Sequence, residues 1–366
     1  MGGKTLKGGG VYLCTNMLAG MFMTSRDPVE VDGEKWVANQ WIKTEHYEPK
    51  PFDPTQDWNG RGIWLLRGGG WGDLIMMTPL MIELKRRWPN CILHVSIGEQ
   101  FFGIFHGIDV IEELIPIDMN NWNPNDCVVA FEELIEGHPM AQKMHAADLF
   151  AWKFGIEIPD TRPHYSIKEE EAKLAAECYP RIPGVKRIGV QFMASCLARS
   201  YPLIEKVLES LLKSGYDVFI FGAPGQITKN VDAPKNLTNL CADNLTFRES
   251  AAVLKTCDSC ISPDSAMVHL SSAIGVPCVA LYGPFPGKLR ASGSNMKIFE
   301  GRAPCAPCFF HARTATEFPT GMPCVEMGCC AAMASIDPVK VHIAAVSLAS
   351  PIIQLDDHDR MRMLSK

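Results

Sequence analysis

The sequence predicts an α/β protein with two Rossmann-like halves in tandem behind a β-rich N-terminal extension, and three observations carry that expectation. From Gly62 onward, short apolar runs alternate with amphipathic stretches, the signature of parallel strands covered on both faces by helices. A second series of the same kind begins at Arg187, after a connection near residues 180–186. The chain has 366 residues, 47% of them hydrophobic, enough for two cores of the usual domain size of roughly 100–200 residues.

Residues 1–60 differ from the rest. Gly8-Gly9-Gly10 opens them, β-like runs follow at 11–14 and 36–42, and Asp32-Gly33 between these is a hairpin turn signal. Pro49, Pro51 and Pro54 then make an extended linker. The first Rossmann-like domain, 61–182, shows strand runs at 63–66, 92–97, 110–115 and 127–131 and helical runs at 74–88, 141–154 and 169–178. The second, 183–350, shows strands at 188–192, 218–222, 259–262 and 278–282 and helices at 204–214, 248–255 and from about 267 to Gly275. A last helix over 339–349 is expected to pack back across the first domain, and 351–366 is a tail. Tandem halves of this kind place a ligand in the cleft between them.

Composition narrows the function classes. A net charge of −6 and a pI near 5.9 argue against a nucleic-acid binder, which needs a basic face. The densest basic cluster, Lys85-Arg86-Arg87, falls at the end of a helix and reads as a solvated terminus favoured by the helix dipole. No run of 18 apolar residues is present to span a membrane, and no charged-then-apolar leader pattern opens the chain. Fourteen scattered cysteines point to reduced thiols or metal ligands and to the cytoplasm.

Three stretches carry chemistry. Arg67-Gly68-Gly69-Gly70-Trp71-Gly72-Asp73 follows the first strand, and glycines there let backbone approach a ligand closely. Asp73 enters a helix at once and suits a base that takes a proton from a sugar hydroxyl; its plainer role is a capping aspartate. In the stretch 192–202 Arg199 precedes an aromatic-Pro helix start, where a guanidinium forks with phosphate oxygens. Asp264-Ser265 stands at the N-terminus of a helix that ends at Gly275-Val276-Pro277, and such an end suits a diphosphate.

Together these residues resemble glycosyltransferase family 9, best known for ADP-heptose heptosyltransferases, over roughly residues 61–345. The likeness rests on Gly72-Asp73-Leu74 with Thr78-Pro79, Arg199-Ser200-Tyr201-Pro202, Asp264-Ser265 with His269-Leu270, Gly275-Val276-Pro277 and Leu281-Tyr282-Gly283-Pro284. It implies a GT-B fold of two facing Rossmann-like domains, the first for the acceptor and the second for the nucleotide sugar, and inversion without a catalytic metal. It further implies Asp73 as base, with Gly72, Arg199, Asp264, Ser265, Ala266, Met267, His269, Gly283 and Pro284 at the donor. Arg199 stands where the family usually has lysine, and the alternative to the donor role of His269 is a satisfied core histidine.

Cys305-Ala306-Pro307-Cys308, Cys324 and Cys329-Cys330 form a further cluster. A Cys-x2-Cys pair joined by later cysteines can build a tetrahedral thiolate site for iron or zinc. The branch of the family that glycosylates autotransporter proteins is similar here, with its four-cysteine iron knuckle. Cys330 is preferred to Cys329 because it lies nearer Ile336. Cys257-Asp258-Ser259-Cys260 leads into a core strand and reads as structural.

The expected activity is transfer of heptose from ADP-heptose to a protein serine or threonine or to a glycan, by a cytoplasmic homo-oligomer. Two alternatives stay open: a non-catalytic nucleotide-sugar-binding scaffold that kept the fold, and a glycosyltransferase acting on modified nucleic acid.

Overall fold

The computed structural model describes residues 51–117, 122–123, 125–223, 225–227, 234–312 and 314–350, together with the backbone of five short strands nearer the N-terminus. Two compact units divide in the sequence between Ser166 and Ile167. The tail 351–366 lies outside the described residues.

In the extension, β1 (Lys4–Thr5) pairs antiparallel with β2 (Tyr12–Leu13). β3 (Val29–Val31), β4 (Glu34–Val37) and β5 (Ile42–Lys43) form a second antiparallel sheet. Val31 pairs with Glu34, and the Asp32-Gly33 turn signal between them lies outside the described residues. The run expected over 36–42 is divided between β4 and β5, which pair with each other.

The first unit's sheet has the order β8-β7-β6-β9, from β6 (Gly62–Leu66), β7 (Ile92–Ile97), β8 (Glu113–Pro116) and β9 (Cys127–Ala130), all parallel. β6 is buried at every residue, which is why its sequence is an unbroken apolar run. Gly62 is required there: a Cβ would sit 2.5 Å from the Asp126 carboxyl, which accepts from the Gly62 amide and the Trp64 indole.

Several boundaries differ from expectation. The helix expected over 74–88 is two, α1 (Trp71–Met76) and α2 (Thr78–Arg87), with the Thr78 hydroxyl donating to Ile75 O at the break. The strand expected from 110 starts at Glu113, because Ile111 N closes a turn onto Ile108 O. The helix expected over 141–154 is a 3-10 turn, Pro139–Gln142, and then α3 (Ala146–Lys153), whose N-terminus is capped by the His145 ring. At the end of α2, Arg86 and Arg87 both pair with Glu83, and Lys85 with Glu112.

The second unit's sheet runs β12-β11-β10-β13-β14-β15, all parallel. Its strands are β10 (Arg187–Gln191), β11 (Asp217–Phe221), β12 (Leu237–Asn239), β13 (Ser259–Pro263), β14 (Cys278–Tyr282) and β15 (Met296–Glu300). β12 and β15 were not expected; both are edge strands without an unbroken apolar run. The helices are α4 (Glu169–Cys178), α5 (Ile204–Lys213), α6 (Phe247–Lys255), α7 (Ala266–Ile274), α8 (Pro323–Met327), α9 (Ala331–Ala334) and α10 (Pro338–Ala349). α5 buries Ile204, Val207, Leu208 and Leu211, one stripe at helical spacing. α4 belongs to this unit, where Glu171 forks with Arg248 of α6 at 2.6 Å.

The last helix is a correction. α10 was expected to cross the first domain, but its apolar side (Val341, Ala345, Ala349) is part of the second unit's own core. The Ser259 hydroxyl donates to Ala345 O.

Candidate active site

In a parallel sheet the chain reverses its direction of winding at one point, and loops there leave a crevice at the carboxyl ends of the strands. The first unit has this switch between β6 and β9, the second between β10 and β13. The residues singled out in the sequence emerge at these two places.

At the first switch, the loop after β6 turns through Gly70 at φ 90° and enters α1. Gly72 and Asp73 lie in the first turn of α1, both half-buried. A side chain at Gly70 would be strained, and its Cβ would lie 2.5 Å from Asp73 Oδ2. Asp73 therefore folds back over the glycine turn rather than capping the helix. Its Oδ2 accepts from Arg67 Nη2 at 2.6 Å.

Arg67, only 4% exposed, has all three guanidinium nitrogens hydrogen-bonded. Its Nε donates to Gly69 O, its Nη1 to Phe131 O and its Nη2 also to Glu136 Oε1. Burial alone would lower its pKa, yet Asp73, Glu136 and Glu132 together raise it, so the guanidinium stays charged. Glu132, from the loop after β9, accepts from the Gly68 amide. Its other oxygen is buried without a partner, and burial lifts its pKa. Arg67, Glu132 and Glu136 were not anticipated in the sequence. The signal was there: Glu132 and Glu136 follow the strand that flanks β6 across the switch.

At the second switch, Arg199 from the loop after β10 and Asp264 from the end of β13 come together, Nη1 to Oδ2 at 3.9 Å. Arg199 also donates to the Ser195 hydroxyl. Tyr201 is buried, and its hydroxyl donates to Ile336 O. Ser265 is the N-cap of α7, but its hydroxyl bonds Ser262 Oγ at 2.9 Å and makes no cap to the helix amides. The helix therefore presents its N-terminal amides, at Ala266 and Met267, without a side-chain cap. Met267 and His269 are buried within α7, which ends at Gly275 in the left-handed region as expected.

Gly283 and Pro284 follow β14 and are buried. A Cβ on Gly283 would meet Met333 Cγ at 2.6 Å and Cys330 Sγ at 3.1 Å. Pro284 O accepts from Phe309 N. The cysteine segment thus packs directly behind this loop. A cavity of about 500 Å³ lies against this loop and the start of the cysteine segment, lined by Gly283, Pro286, Ile298, Glu300, Arg302 and Pro307 among others. It lies at the β14–β15 edge and not at the switch.

Cys305, Cys308, Cys324, Cys329 and Cys330 are all free thiols, as is every cysteine among the described residues. Burial pushes up the Cys308, Cys329 and Cys330 thiols; Cys305 and Cys324 act further on Cys308, Cys324 on Cys329, and Cys324 and Cys308 on Cys330. Among the described residues, however, no group of three or more His, Cys, Asp or Glu side chains is arranged to hold a metal ion. Four thiols have the donor chemistry for iron or zinc, but their placement here does not fit one. Cys260 is fully buried beside Cys278, as a structural thiol should be.

Known proteins agree with this organisation. The model of glycosyltransferase family 9 (heptosyltransferase) matches residues 135–317, half of the chain. Lipopolysaccharide heptosyltransferase 1 of Pseudomonas aeruginosa is 25% identical over 191 residues, 50% of this chain and 52% of that one. The chain thus spans about half the length of this curated relative. Among solved structures, the family 9 glycosyl transferase of Veillonella parvula superposes with a TM-score of 0.57 at 17% identity, covering 80% of this chain and 98% of that one. The iron-containing dodecameric glycosyltransferase TibC of enterotoxigenic E. coli gives a TM-score of 0.62 at 15% identity, covering 81% and 78%. These likenesses and the two parallel sheets show the GT-B type of α/β fold. Among the described residues no helix is long and apolar enough to cross a membrane.

Proposed function

The chain belongs to glycosyltransferase family 9, and from that premise we propose that it moves heptose from ADP-heptose to an acceptor hydroxyl with inversion at the anomeric carbon. The observation that carries the reading is the junction of Arg199 and Asp264 beside the uncapped start of α7, at the topological switch of the second unit. A cation next to a row of free helix amides is what a departing diphosphate requires. Asp73 takes the proton of the acceptor hydroxyl as its oxygen attacks the anomeric carbon from the face opposite the diphosphate. Arg67 holds Asp73 in place and Arg199 offsets the charge on the leaving group.

The acceptor is a protein serine or threonine or a glycan hydroxyl, and the enzyme works in the cytoplasm as a homo-oligomer. Support for the protein acceptor is the β-rich extension together with the cysteine segment, the latter similar to the knuckle of the autotransporter branch. We further propose that Cys305, Cys308, Cys324 and Cys330, which as placed here do not hold a metal ion, are drawn together onto a structural iron or zinc when the ion binds. The position of Cys330 within reach of both Cys308 and Cys324 supports it over Cys329. The ion would order a stretch with little core of its own, and no step of the transfer passes through it.

The test is release of ADP from ADP-heptose by the full chain, with mass spectrometry of proteins and glycans from the native host after incubation. Wild-type consumption of ADP-heptose that Asp73→Asn abolishes is expected. A chain that binds ADP-heptose but never consumes it would be the scaffold. One that binds no nucleotide sugar would overturn the reading.

A further inference from the structure

Among the described residues three arginines have almost fully buried side chains, and in two of them every guanidinium nitrogen is hydrogen-bonded. Arg67 has the four partners given above. Arg187 pairs with Asp217 at 2.7 Å and donates to Tyr179 O, Thr256 Oγ1 and Pro180 O while lying over the Phe219 ring. Arg290 is the exception. It is 4% exposed, yet both terminal nitrogens, Nη1 and Nη2, are buried without a hydrogen-bond partner. Its guanidinium lies over the face of Phe285, 5.0 Å away. A charged fork closed off from water and left unpaired is strongly unfavourable, and an anion is what would satisfy it.

The surroundings say which anion. Arg290 stands in the loop that leaves β14, and Tyr282 at the end of that strand is fully buried with its hydroxyl also unpartnered. That hydroxyl lies within electrostatic reach of Asp264, Arg290 and Arg199. Two arginines and a phenol thus converge on the same end of the sheet, beside the amides that open α7. Arg199 is already engaged by Asp264 and Ser195. A diphosphate carries more negative charge than that one cation can balance.

We propose that Arg290 is a second arginine of the donor site, its Nη1 and Nη2 forking onto phosphoryl oxygens of a nucleoside diphosphate, with the Tyr282 hydroxyl as a further donor. Phe285 holds the guanidinium plane, and is itself held by the rings of Phe309 and His311 at 6.0 and 4.5 Å. The cysteine segment therefore buttresses the loop that carries this arginine. This inference rests on the donor reading above and adds a residue that the sequence motifs do not mark.

Calorimetry on the full chain with ADP and with adenosine tests it, using wild type, Arg290→Gln and Arg290→Lys. Arg290→Gln should weaken ADP by about 10- to 100-fold, the scale of charge-assisted contacts, and leave adenosine within about twofold. Arg290→Lys keeps the charge without the fork and should fall between; it carries the same contrast should the Gln variant not fold. Unchanged ADP affinity in both variants overturns the proposal, and so does an equal loss of ADP and adenosine, the mark of a merely structural arginine. If wild type binds no ADP, the donor reading has failed on its own account. Thermal stabilisation by inorganic pyrophosphate then decides: present in wild type and lost in Arg290→Gln it upholds the anion site, and otherwise the site is refuted.

Discussion

Replacing Asp73 by asparagine separates the chemistry of the proposed base from its structural bond. Asp73 Oδ2 accepts from Arg67 at 2.6 Å, and an amide oxygen in the same place keeps that hydrogen bond. Arg67 retains Gly69 O, Phe131 O and Glu136, so its charge still has a counter-ion. Asp73 is 22% exposed, and losing the ionic part of this one contact should cost about 1 kcal/mol of stability. The kinetic loss is far larger, because an amide cannot take the acceptor's proton. Removing a positioned base lowers turnover by roughly 10²–10⁴-fold, or about 3–5.5 kcal/mol of barrier. The assay is ADP release from ADP-heptose, alongside ADP calorimetry and urea denaturation. We expect the turnover loss with ADP affinity within about twofold of wild type. Turnover within tenfold of wild type would refute the role of Asp73 as base. Joint collapse of stability and ADP binding would make it a structural partner of Arg67 instead.

Four further outcomes follow from the same geometry. Arg199→Ala should weaken ADP by about 1.5–3 kcal/mol, and unchanged calorimetry would remove Arg199 from the site. Burial raises the pKa of Glu132 above its ordinary 4.5, so its contribution to stability is whole below that value and declines as pH rises through the folded pKa. Glu132→Gln should therefore gain on wild type as pH climbs from 4.5 in urea titrations; a flat difference would show no such penalty. In Gly301→Ala the new Cβ would lie 1.8 Å from the backbone oxygen of Ala332, which cannot swing aside, and a loss of about 3 kcal/mol is expected; a variant with the wild-type urea midpoint contradicts that packing. Protein purified under reducing conditions should carry about one iron or zinc per chain, lost in Cys308→Ser; elemental analysis finding neither metal rules out the thiolate site.

Local chemistry made much of this protein legible in its sequence. Strands buried on both faces must be continuous apolar runs, so β6, β10, β11, β13 and β14 could be read within a residue or two. The stop of α7 was equally plain, since only glycine turns easily through φ 76° there. Asp73, Arg199 and Asp264 stood out because a short turn between strand and helix leaves few places for a charged group to point. Edge strands escaped: β12 and β15 lack an unbroken apolar run, and pairing with a neighbour defines them. The destination of α10 escaped too, because an apolar helix face does not say which core it will join. Two of the partners of Arg67, Phe131 O and Glu136, lie 64 and 69 residues away, and the isolation of Arg290 is a statement about every side chain around it. Tertiary structure alone decided these, because whether a buried charge is paired depends on which distant loops meet it, and no local pattern encodes that meeting.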